Sequence, residues 1–123
     1  MNPRVDREAP QVVDRHPSHL GHPVAEALAA HQLLRGARPM IQDIPDVDWM
    51  LRDDVQWAYR AVIDLDLTFD ALGFPQHLPN FLTLMKRYPA MRVVYDHCIK
   101  PQVRDQRRGK NAFSVWADGI SKL

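Results

Sequence analysis

A single cysteine, Cys98, stands in the chain, so no intrachain disulfide can form. Glycine is scarce: five glycines stand against ten prolines, which suits stiff strand-to-helix corners more than flexible linkers. No apolar run approaches the ~20 residues of a membrane span. The stretch Met1 to Glu8 is charged and has no apolar signal region. Neither sign of charge dominates: 16 Lys and Arg against 15 Asp and Glu give a net charge of +1. That balance argues against a general nucleic-acid binder. The expectation is a protein of a reducing, cytoplasmic compartment that engages neither membrane nor nucleic acid.

What is present is ordinary globular material, 46% hydrophobic and 25% charged over 123 residues. That is enough for one domain with a real core and too apolar for a disordered chain. Residues 1–21 hold Pro3, Pro10 and Pro17 with no sustained periodicity and are expected to be irregular. His22-Pro23 is expected to open a helix carrying Val24, Leu28 and Leu33 inward, ended by Gly36. Ala37 to Gln42 reads as a strand, and Asp43 to Leu51 as a loop. Asp53 with Gln56 forms a capping-box pattern for a helix reaching Leu65. Leu67 to Leu72 reads as a second strand, and a helix follows from about residues 76–79 to Tyr88. Arg92 to Asp96 is the third strand. A basic loop then leads to a last helix over about 112–122, with Phe113, Trp116, Ala117 and Ile120 at helical spacing.

Strands about 25–30 residues apart, alternating with helices, predict α/β architecture with a parallel sheet. Right-handed crossovers put the strand C-termini on one edge, where such folds place their chemistry. Three segments aim polar groups at that edge. They are Arg38 to Gln42, Asp70, and the run Val93-Val94-Tyr95-Asp96-His97-Cys98-Ile99-Lys100-Pro101.

At these residues the chain resembles the amidohydrolase-related, metal-dependent hydrolases of TIM-barrel fold, in the branch of sugar lactonases and pyrone-dicarboxylate lactonases. The matching pieces are Leu34-Arg35-Gly36-Ala37-Arg38, Ile41-Gln42-Asp43, Asp48-Trp49-Met50-Leu51-Arg52, Leu67-Thr68-Phe69-Asp70, His77-Leu78-Pro79 and the Asp96-His97…Lys100-Pro101 segment. The resemblance runs over residues 22–123, expected to form a partial (β/α) barrel domain after the irregular residues 1–21. The family's opening His-x-His strand and its closing Gly-Ser-Asp-type strand have no match here. A TIM barrel needs about 250 residues, so the chain resembles a central piece, a half barrel.

The resemblance implies hydrolysis of a lactone or cyclic ester by activated water, with an optional divalent metal, zinc or manganese. It puts His97 against the substrate or the metal, and makes Arg38 and Asp70 the other catalytic candidates. A guanidinium at Arg38 suits a carboxylate or the oxyanion of an opening ring. Asp70 suits a substrate hydroxyl or the orienting of Arg38. Gln42, Trp49 and Lys100 are the substrate-binding candidates. Asp96 alternates in direction with His97, so only one of the two faces inward on a regular strand, and His97 is the one expected there. The water-activating base is expected on the unmatched closing strand, which makes the 123-residue chain alone a poor catalyst.

Two bland alternatives stand beside this. A half barrel has open sheet edges, which invite self-association into a homo-oligomer or docking on a partner chain. His16, His19 and His22 have metal-ligand spacing, but chance explains it better. Arg104, Arg107, Arg108 and Lys110 lack interleaved aromatics and read as a solvated loop. Ser121-Lys122-Leu123 has the form of a peroxisomal address and is read as incidental.

Overall fold

In a computed structural model, residues 30, 31, 33–102 and 112–123 are described. Residues 1–21, the three spaced histidines, most of the expected first helix and the basic cluster Arg104 to Lys110 lie outside them. Among the described residues, three strands form one sheet in the order β1-β2-β3. They are β1 (Gly36–Ala37), β2 (Thr68–Ala71) and β3 (Arg92–Tyr95), and both neighbouring pairs are parallel. Among the described residues three α-helices accompany them: α1 (Gln56–Asp64), α2 (Leu78–Arg87) and α3 (Ala112–Ile120).

Register explains which side chains share a face. Ala37 pairs with Phe69, Phe69 with Val93, and Ala71 with Tyr95. These residues face the helices. Phe69 meets Tyr59 of α1 edge-on at 5.5 Å between ring centroids, and Phe81 of α2 meets Tyr95 at 6.2 Å. Around them Val62, Leu78, Leu84, Met91 and Ile99 close one continuous core. Each large apolar side chain fully buried there contributes roughly 1.5–3 kcal/mol relative to exposure.

Gly36 makes the β1–β2 seam possible. A Cβ at that position would come within 2.6 Å of the Thr68 carbonyl oxygen. Only a residue without a side chain lets the two backbones approach so closely.

Several boundaries differ from expectation. β1 stops at Ala37 rather than Gln42, and a 3₁₀ turn follows at Ile41–Asp43. Pro39 has no N–H to donate to a ladder, which ends the pairing. The Asp53–Gln56 capping box does not form. Gln56 is buried and spans elements instead. Its amide nitrogen donates to the carbonyls of Met50 (3.1 Å) and Arg52 (2.7 Å), and its oxygen accepts from the Tyr88 hydroxyl (2.9 Å). Tyr59 adds a second donor to the Met50 carbonyl at 3.0 Å, and burial holds its phenol well above the ordinary tyrosine range. The long segment between β1 and α1 is thereby fastened to both helices.

After β3 the chain does something no pattern signalled. His97, Cys98, Ile99 and Lys100 all have positive φ, between 47° and 56°. Four successive non-glycine residues form a left-handed turn, a conformation that costs roughly 1–2 kcal/mol per residue. It is held from outside. Ile99 is fully buried, and the Trp116 indole N–H donates to the Cys98 carbonyl at 2.8 Å.

Candidate functional site

The face of the sheet opposite the helices carries the polar groups. Arg38 follows β1 and extends its parity, so it lies beside Asp70, whose own partner in β3 is Val94. Two residues on, with the same parity, comes Asp96. Arg38 joins them. Its Nη2 donates to Asp70 Oδ2 at 3.0 Å, and its Nε lies 2.9 Å from Asp96 Oδ2. The second contact is ionic rather than a straight hydrogen bond, since neither buried atom finds an aligned partner. One guanidinium thus bridges the C-terminal ends of all three strands.

This corrects the inward choice at β3. Asp96, not His97, faces the cluster. Its carboxylate side chain is 16% exposed, whereas His97 is turned out to solvent by the left-handed turn. The reason is parity: Val93 and Tyr95 pack toward the helices, so the even-numbered residues point the other way. Arg38 and Asp70 are brought together as expected.

Gln42 and Lys100 also meet, although 58 residues apart. The Lys100 ammonium donates to the Gln42 side-chain oxygen and stands 4.9 Å from the centre of the Phe74 ring. Trp49 is not gathered in. It packs on the core and lines an apolar groove on the helix side with Ala37, Pro39, Trp57, Val62 and Leu65.

The described residues do not by themselves assemble a metal site. His97 is exposed, Asp70 and Asp96 are both engaged by Arg38, and the described residues hold no cluster of three or more His, Cys, Asp or Glu. Chemically, the cluster is a cation steadied by two anions, leaving one net negative charge. Such a guanidinium is pre-oriented to hydrogen-bond a carbonyl or carboxylate oxygen.

Sequence comparison supplies the rest. No protein-family profile matches the chain. It is 43% identical over 97 residues to an L-fucono-1,5-lactonase of Burkholderia ambifaria, a match covering 79% of this chain and 32% of that protein. It is 32% identical over 121 residues to an L-fucono-1,5-lactonase of Burkholderia multivorans, covering 96% and 37%. A crystal structure of an amidohydrolase from Burkholderia multivorans with bound HEPES superposes with a TM-score of 0.74. That pair is 27% identical, over 81% of this chain and 36% of that one.

The chain is similar to one part of an amidohydrolase-type lactonase.

It spans about one third of the length of the curated relatives it matches. The α/β class and the partial-barrel arrangement of parallel strands are borne out by that superposition. Among the described residues no helix is long and apolar enough to cross a membrane.

Two residues matter beyond the expected set: Asp96, expected to yield the inward place to His97, and Phe74. Asp96 was discoverable from register. Phe74 carries Lys100, and no spacing rule announces such a pair.

Proposed function

We propose that this chain is a section of a lactone hydrolase, and that its strand-end cluster binds the carbonyl oxygen of a sugar lactone as the ring is attacked. The observation that carries the reading is the Arg38 guanidinium held between Asp70 and Asp96 at the C-terminal edge of three parallel strands. The lactonase names of the relatives support the substrate class.

In this mechanism Arg38 donates to the lactone carbonyl oxygen and stabilises the negative charge that grows there as water adds. Asp70 and Asp96 hold the guanidinium in place. Engaged in that way, neither is the base; a separate carboxylate activates the water. Lys100 and Gln42 flank the same edge and receive ring hydroxyls or the carboxylate released on opening. The isolated 123 residues should be a poor catalyst.

The test is titration of the isotope-labelled chain with L-fucono-1,5-lactone and its hydrolysed acid, followed by NMR. Perturbation centred on the Arg38 side-chain N–H signals, and abolished by Arg38→Met, supports the reading. Scattered or absent shifts count against it. A rapid turnover by the chain alone would show that the base lies within these 123 residues.

A second reading is a non-catalytic half barrel that self-associates. It draws on Val94 of β3, 49% exposed, and on exposed Phe113 and Val115 of α3. Light scattering after gel filtration decides: a monomer across a wide concentration range removes it.

A further inference from the structure

His77 is fully buried, yet the lactone-hydrolase mechanism gives it no task. It sits in the 3₁₀ turn Pro75–His77 that leads into α2. Its Nδ1 accepts the backbone N–H of Phe74 at 2.9 Å, and its ring stacks at 27° to the Phe74 ring with centroids 6.4 Å apart. Its Nε2 finds no partner among the described residues. Gly73 closes the other side: a Cβ there would come within 2.9 Å of Phe81 and 3.1 Å of His77 Nδ1.

We propose that His77 is a positioning residue, which sets the Phe74 ring and through it the Lys100 ammonium at the strand-end site. The chain of contact is short and complete. His77 fixes the Phe74 backbone and shares its ring face. Lys100 Nζ stands 4.9 Å from the centre of the Phe74 ring. Lys100 reaches on to Gln42. The segments after β1, β2 and β3 are tied together by one buried imidazole.

The need for such a tie is visible in the backbone. Lys100 ends the left-handed turn, with φ of 47°. A strained turn keeps its shape only when its surroundings over-determine it. Ile99 and the Trp116–Cys98 bond hold its middle, and the Phe74 ring with Gln42 holds its end. The bond to Phe74 also dictates the chemistry of the ring. A nitrogen that accepts an N–H carries no proton, so His77 must be neutral with its hydrogen on Nε2. Burial, which pushes the imidazole below the ordinary histidine range, agrees. Among the described residues, Phe74 and Phe81 flank the ring.

The assignment rests on the lactone-hydrolase reading only for what Lys100 meets; the positional coupling stands by itself. NMR of the full labelled chain tests it without any substrate. Long-range imidazole correlations at neutral pH should show a bare Nδ1 and a protonated Nε2 for His77. The ε-methylene protons of Lys100 should be shifted upfield by the Phe74 ring. His77→Leu should remove most of that shift, and so should Phe74→Leu. His77→Asn, whose Oδ1 takes the place of Nδ1, should keep it. An imidazolium or an Nδ1–H tautomer in the unsubstituted protein overturns the proposal with no variant required. So does an unchanged Lys100 shift in His77→Leu, or its equal loss in His77→Asn. If these signals hold while lactones and their acids leave Arg38 unperturbed, the hydrolase reading fails and the coupling does not.

Discussion

On the helix side of β2, Phe69 and Ala71 are 2% and 0% exposed; on the other side Asp70 keeps 30% of its side-chain surface and faces a guanidinium. β3 repeats the division. Val93 and Tyr95 pack on the core, while Val94 stands half in solvent beside Asp70. The same two strands thus hold the fold together with one face and present charge with the other. A face that gains stability from burial cannot also offer a polar group to a ligand.

Four measurements press on that division. The largest effect belongs to Phe69→Ala, which empties the center of the helix side. Denaturant unfolding should show a loss of about 3–5 kcal/mol, and a loss below 1 kcal/mol would mean that the core can collapse around the gap. Next comes Arg38→Met. It leaves two carboxylates facing each other and should cost about 1–2 kcal/mol, less than the core change, and on the proposed reading it removes the oxyanion donor as well. Double-mutant cycles with Asp70→Asn and Asp96→Asn apportion that loss, and the less exposed Asp96 should couple more strongly.

A third measurement is stability against pH. The folded pKa of His77 is depressed, so between it and the unfolded value the unfolded chain binds more protons. Stability from this group is full above the ordinary histidine range and falls as the pH drops below it. The slope for one proton is at most about 1.4 kcal/mol per pH unit, and His77→Asn should flatten it. The smallest effect is expected from Val94→Thr on the open face. It should move the unfolding midpoint by less than about 0.5 kcal/mol. A loss of several times that amount would show that the face is covered in solution.

Much of the helix side was legible in the sequence, because apolar periodicity is a long signal. β2, β3, α1, α2 and α3 were each anticipated to within a few residues. The rest failed for local reasons. Pro39 outweighed the extended look of Ala37 to Gln42. Gln56 had better partners in Met50, Arg52 and Tyr88 than a capping box offers. At β3 the resemblance favoured His97 as the inward residue, but Val93 and Tyr95 pack on the core, so register with β2 turns Asp96 to the cluster instead. The left-handed turn was illegible because no glycine or asparagine marks it.

That turn has a consequence in handedness. Its backbone angles at Cys98, φ 50° and ψ 34°, mirror those of an ordinary helical residue. They are the comfortable geometry of an amino acid of the opposite chirality. Cys98 is exposed, so its side chain gives up little when replaced. A chain assembled by chemical ligation with D-alanine at position 98 should therefore melt at a higher temperature than its L-alanine twin. An otherwise all-L protein has here a stretch better suited to mirror-image monomers.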